Sequence, residues 1–127
     1  VVTSRTIDYV NVYLVPDKNL ASKQKTAVDN LTFMRSELQN GRNIKTAYAN
    51  LVKKLGKDPK YSVVENAYIT KDSAYLPDYL TAIFKLNKGA ISSVINAKGT
   101  NYMVAKATNA VNTKYNSLST WEKANLK

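Results

Sequence analysis

The residue types that carry most covalent catalysis are missing from this sequence, which has no His and no Cys among its 127 residues. Without a thiol there is no thiolate nucleophile, disulfide or zinc knuckle; without imidazole there is no general base titrating near neutrality and no imidazole metal ligand. Serine-triad, papain-like and zinc-hydrolase mechanisms are therefore excluded. Nine carboxylates remain, thinly spread. Only Asp72 and Asp78 are near neighbours around one helix start, and no set has the spacing of a calcium loop or a two-metal site. No metal and no cofactor is expected. Ser22-Lys23-Gln24-Lys25 matches the S-x-x-K of penicillin-interacting enzymes, but Lys25-Thr26-Ala27 and Lys45-Thr46-Ala47 lack the glycine of the partner K-T-G motif, so the match reads as chance. The four glycines lie too far apart for a phosphate-cradling loop. Asn30-Leu31-Thr32 fits a glycosylation sequon, yet falls inside a predicted helix. What stands out is nine Tyr against two Phe. A phenol joins a flat apolar ring to a hydrogen-bonding tip, which suits a surface that holds peptide segments as well as it suits ordinary packing.

These side chains need elements to position them. Arg5 to Val15 alternates, with Val10, Val12 and Leu14 on one face and Tyr9, Asn11 and Tyr13 on the other, which predicts a strand ended by Pro16-Asp17. From Leu20 to Asn40 the apolar residues Ala27, Leu31, Met34 and Leu38 recur on one helical stripe, closed by Gly41. A second helix follows, with Asn43 as N-cap and Ile44, Ala47, Tyr48, Leu51 and Leu55 inward, until Gly56 and Asp58-Pro59 break it. Tyr61 to Thr70 alternates imperfectly and predicts a short strand or an ordered loop. Leu76-Pro77-Asp78 opens a third helix whose apolar side is Leu76, Leu80, Ile83 and Phe84 and whose end is Lys88-Gly89. Ile91 to Ile95 and Tyr102 to Ala107 predict two strands of a hairpin with Lys98-Gly99-Thr100 at its tip.

Beyond Val111 a polar segment leads to a last short helix, with Ser119 as cap and Trp121 as an anchor. One domain is expected over 1–111, and 112–127 is expected to be a tail packed on or near it. The order (β-α-α-(β/loop)-α-β-β) predicts an α+β fold with a small, mostly antiparallel sheet flanked by about four helices.

Nineteen basic against nine acidic side chains give a formal charge of +10. The cations are scattered; only Lys53, Lys54, Lys57 and Lys60 come close to a cluster. A charge of this size attracts polyanions whatever the protein's task, so nucleic acid is not expected as the partner, and anionic membranes or cell-wall polymers fit better. The longest nearly apolar stretches, around Tyr9 to Val15 and Leu80 to Phe84, fall far short of the ~20 residues of a membrane helix. The chain starts Val1-Val2 without a signal pattern and is expected to be an excised domain or mature fragment.

The second half carries a resemblance. Leu76-Pro77-Asp78-Tyr79-Leu80-Thr81-Ala82-Ile83-Phe84, followed by Leu86-Asn87-Lys88-Gly89-Ala90-Ile91-Ser92-Ser93-Val94, resembles the parvulin (rotamase) pattern V-P-E-F-x-x-A-x-F, then L-x-x-G-x-I-S-x-V. Asn101-Tyr102-Met103-Val104-Ala105-Lys106 stands in the place of the parvulin last strand, G-Y-H-I-I-K. With the upstream strand and two helices, the resemblance covers residues 7 to 108. It implies a parvulin-like peptidyl-prolyl cis-trans isomerase domain, most similar to PrsA-type foldases, extracytoplasmic lipoproteins on the outer face of the Gram-positive cell membrane; the periplasmic SurA and PpiD chaperones are the alternative. The implied partners are unfolded or proline-containing segments of secreted proteins.

The resemblance also implies the site. The two parvulin histidines align with Val12 and Met103, the acidic or Cys position of the active loop with Glu65, and the residues lining the proline pocket with Tyr75 and Tyr79, beside Phe84. Rotation about an X-Pro bond crosses ~18–20 kcal/mol but breaks no σ-bond, so catalysis needs only tighter binding of the twisted amide. Val12 and Met103 cannot supply the hydrogen bonds of two imidazoles. The expectation is therefore a foldase or chaperone domain with isomerase activity weak or lost; the alternative is an active isomerase with Tyr75, Tyr79 and Met103 lining the pocket and Glu65 polarising it.

Overall fold

The computed structural model describes residues 3–112. It is an α+β fold in which a four-stranded antiparallel sheet, ordered β2-β1-β4-β3, is built from β1 (Ser4–Tyr13), β2 (Ser62–Thr70), β3 (Ile95–Ala97) and β4 (Asn101–Val111). The helices are α1 (Leu20–Gln39), α2 (Ile44–Leu55) and the single turn α3 (Leu80–Ile83), entered through a 3₁₀ turn at Pro77–Tyr79. Three helices thus stand where about four were expected, because the fourth was assigned around Trp121, outside the described residues; the expected packing of the tail lies outside them as well.

The sheet is buried on both faces. Successive side chains of a strand point to opposite sides, so the central strands feed two separate cores. On one side Val10, Leu14, Tyr102 and Val104 meet Ala27, Leu31, Met34 and Leu38 of α1 and Ile44, Ala47 and Leu51 of α2. On the other, Ile7, Tyr9, Met103, Ala105 and Ala107 meet Tyr79, Ile83 and Leu86. The face of Val10, Val12 and Leu14 packs on the helix pair, and the face of Tyr9, Asn11 and Tyr13 is buried as well at Ile7 and Tyr9.

The helix pair follows its sequence signals. The Asn43 side chain accepts from the Thr46 amide at 2.8 Å, and Gly56 closes α2 in the left-handed conformation at φ 72°. Asn30 is buried and donates its side-chain amide to Tyr61 Oη at 3.0 Å, so it is not accessible as a glycosylation acceptor.

Three elements differ in detail from the expectation, each because of a partner outside the element. Residues 62 to 70 do form a strand, but its register against β1 shifts between Ile7 and Tyr9. Asn66 sits there at φ 56° with its amide donating to Asp8 Oδ1 at 2.9 Å. This bulge is what spoils the alternation.

The third helix stops at Ile83 instead of Lys88-Gly89 because the carbonyls of Phe84 and Leu86 are taken by a distant side chain: Arg5 donates its Nη2 to Phe84 O at 3.0 Å and its Nε to Leu86 O at 2.6 Å. The hairpin begins at Ile95, not Ile91, since Ser92 replaces ladder pairing with its own hydroxyl. Its amide donates to Ala105 O at 2.8 Å while its Oγ accepts from the Ala105 amide at 2.9 Å.

Candidate functional site

The layer beneath the 3₁₀ turn and α3 gathers three phenols. Tyr9 stands at the middle of β1, where Ile7 below it fixes the face by alternation, and its ring is almost wholly covered. Pro77 presets the turn that follows Leu76, itself left-handed at φ 55°, and this turn delivers Tyr79 into the same core. Tyr75 precedes the turn. Its ring meets that of Tyr9 edge to face at 6.4 Å between centroids, the two hydroxyls are hydrogen-bonded, and 46% of the residue remains exposed. Tyr79 is the opposite case: only 4% is exposed, and its hydroxyl has no hydrogen-bond partner among the described residues.

Their surroundings keep Tyr9 and Tyr79 protonated. Burial, reinforced by the Asp78 carboxylate, pushes the Tyr79 hydroxyl up to about 12. Burial, followed by the hydrogen bond that Tyr9 donates to Tyr75 and by the nearby phenols, raises Tyr9 as well. At neutral pH the cluster therefore offers O–H donors and no base.

Two clefts flank α3. One of about 440 Å³ lies between α3 and the segment leading into β3, with Ala82, Leu86, Ile91 and Ile95 among its walls and Asp78 and Lys85 also lining it. Asp78 is paired with Lys98 at 3.4 Å. The other, about 340 Å³, is lined by Lys71, Leu80, Thr81, Phe84 and Lys85. Phe84 is held between cations, with the Arg5 guanidinium 5.2 Å and Lys71 Nζ 5.9 Å from its ring centre.

Of the residues expected at the site, Tyr79, Phe84 and Met103 share this layer and Tyr75 covers its edge. Met103 is fully buried, so it supports the cluster from below and reaches no solvent. Val12 and Glu65 are not part of it. Val12 pairs with Tyr102 across the β1–β4 ladder and packs in the other core, against the helix pair. It is a near neighbour of Met103 in sequence register but faces the opposite side of the sheet; the β1 residue directly across from Met103 is Asn11. A one-residue offset in the strand alignment is enough to exchange faces. Glu65 sits at the β2 bulge and is ion-paired to Lys45 of α2 at 3.2 Å, which holds its carboxylate toward the helix-pair side.

Sequence reasoning did not single out Tyr9, Asn11 or Arg5 as site residues. Ile7 and Tyr9 share an alternation as regular as that of Val10 and Leu14, and this was the signal that could have found the second face. Among the described residues no cluster of His, Cys, Asp and Glu could hold a metal ion, and no helix is long and apolar enough to cross a membrane. Compared with models of known protein families and with curated proteins, the chain matches none.

Proposed function

We propose that this chain is a parvulin-like domain that holds extended polypeptide, a foldase or chaperone module for secreted proteins of the PrsA kind, working outside the cytoplasm with isomerase catalysis weak or lost. The order of strands and helices and the resemblance over Leu76–Val94 and Asn101–Lys106 support the family reading. The observation that carries the functional one is the phenol cluster: Tyr9 and Tyr79 share one core layer with Tyr75 at its edge, Tyr75 is open to solvent, and a cleft of mixed apolar and polar lining runs alongside α3. Apolar walls with a few polar donors suit a peptide's side chains and carbonyls. The side chain that would replace the second imidazole, Met103, is sealed in the core. Val12, assigned to the first, faces the other layer.

Two measurements on the same sample test this. A protease-coupled proline-peptide assay, in which the uncatalysed step takes ~10–100 s, is expected to run at the buffer rate even at high domain concentration. Fluorescence anisotropy of a short labelled peptide, uncharged and with a central Leu-Pro step, is expected to report binding. Isomerisation above the buffer rate that falls on Tyr79→Ala would overturn the loss of catalysis; absence of peptide binding would overturn the reading altogether.

A further inference from the structure

A buried hydroxyl without a partner is uncommon, because leaving it unmade forfeits hydrogen bonding that water supplied in the unfolded chain. Tyr79 carries such a hydroxyl at the centre of the phenol layer. Its neighbour Tyr9 is covered as well, but its hydroxyl is satisfied by Tyr75. Tyr75 differs from both: it belongs to the connection between β2 and the 3₁₀ turn, is nearly half exposed, and touches the cluster with ring edge and hydroxyl tip. One phenol is thus a cover, one is held by the cover, and one donor is kept waiting.

We propose that Tyr79 is the hydrogen-bond donor that receives a main-chain carbonyl of bound extended polypeptide, and that Tyr75 is the cover that swings off Tyr9 to admit it. This inference rests on the peptide-binding reading above. The chemistry fits a carbonyl: a phenol that stays protonated donates and gives no negative charge to repel an acceptor, and no cation of the cluster competes for it. An X-Pro step suits the site further, since its residues offer carbonyls while proline lacks an N–H that would itself need an acceptor in an apolar layer. Displacing Tyr75 breaks its bond with Tyr9, whose hydroxyl then donates to a second carbonyl while Tyr79 takes the first, so admission of the peptide leaves fewer orphaned groups than the free state has.

The test separates binding from stability. Tyr79→Phe removes only the waiting hydroxyl. It is expected to raise the melting temperature of the free domain and to weaken anisotropy-measured affinity for the labelled Leu-Pro peptide about tenfold, the size of one typical hydrogen bond. A hydroxyl with a purely structural role would move stability and leave affinity alone. Tyr75→Ala is expected to speed peptide association severalfold in stopped-flow mixing. If the unsubstituted domain binds the peptide and Tyr79→Phe binds it equally well, or if Tyr75→Ala leaves the association rate unchanged, this inference is overturned while the peptide-binding reading stands. If the unsubstituted domain does not bind, both fall together.

Discussion

Arg5 offers the sharpest test of how the site layer is held in place. It is 3% exposed, carries a full charge, and faces no carboxylate among the described residues. Its guanidinium instead serves main-chain carbonyls: Leu86 O at 2.6 Å, Ser4 O at 2.8 Å, Phe84 O at 3.0 Å and Val111 O at 3.3 Å. The carbonyls of Phe84 and Leu86 lie just past the end of α3, in the turn that leads away from it. The perturbation is Arg5→Met, which keeps the length and apolar stem and deletes every donor. Hydrogen bonds to a charged group are worth ~1.5–3 kcal/mol each, and the two at α3 have no other partner to replace them. Against this stands relief of the desolvation of a buried ion, which can reach several kcal/mol. Because the carbonyls stay behind when the guanidinium goes, the loss wins, and we expect a net cost of about 2–4 kcal/mol. Urea unfolding with an unchanged m-value reads it. Arg5→Lys, with a single point of charge, should recover only part of the loss. If Arg5→Met unfolds at the same urea concentration as the unsubstituted domain, the bonds only offset the cost of burying the ion, and α3 must be positioned by its apolar contacts alone.

Other predictions follow from the same geometry. Ser92→Ala orphans the buried Ala105 amide, which its Oγ accepts at 2.9 Å; a loss of about 1–3 kcal/mol is expected in thermal unfolding, and faster exchange of that amide should accompany it. In alkaline titration followed by phenolate absorbance, Tyr48 and Tyr79 should ionise near about 12, and Tyr9 later still. Since these folded-state values lie above the unfolded one near 10.0, the unfolded chain gives up protons first. Stability is therefore full below pH ~10 and declines as pH rises through the folded values; a flat stability curve across that window would show that burial of these phenols is not felt by their ionisation. With a formal charge of +10, retention on an anionic polymer column should fall steeply as salt shortens the screening length to ~8 Å at physiological strength. Retention indifferent to salt would remove the proposed attraction to cell-wall polymer.

What the sequence disclosed, and what it hid, divides by the distance over which the deciding interaction acts. The helix pair was legible because its signals are local: the stripe Ala27, Leu31, Met34, Leu38, the Asn43 cap and the Gly56 stop are all within one element. The early end of α3 was not, because the donor that takes its last carbonyls is Arg5, 81 residues from Leu86. The bulge at Asn66 depends on Asp8 of a neighbouring strand, and the late start of the hairpin depends on the hydroxyl of Ser92 reaching across to β4. At the candidate site the same rule holds. Of the residues the resemblance implied, Tyr79 and Phe84 share one core layer with Tyr75 at its edge, whereas Val12 comes from an alignment along β1, where an offset of one residue reverses the face and Asn11 is the residue opposite Met103.

The double burial of the sheet sets how the Tyr9 layer is built. A strand covered on one face alone would expose Tyr9 and leave its hydroxyl to water. With α1 and α2 packed on the other face, β1 is held rigid in the sheet centre, and the small cover of the 3₁₀ turn and α3 can be local and incomplete. The cover is incomplete: Tyr79 is sealed beneath it, while Tyr75 at its edge stays 46% exposed. The protonated phenols then fix the kind of work available. A group held near pH 12 cannot take a proton at neutrality, but it can donate a hydrogen bond in a dry layer, where each bond counts for more than in water. Equal donation to planar and twisted amides tightens binding and leaves the rotation barrier where it was. Under the proposed reading, the same cluster that would hold a chain would give no efficient isomerisation unless the Tyr79 hydroxyl preferred the twisted carbonyl.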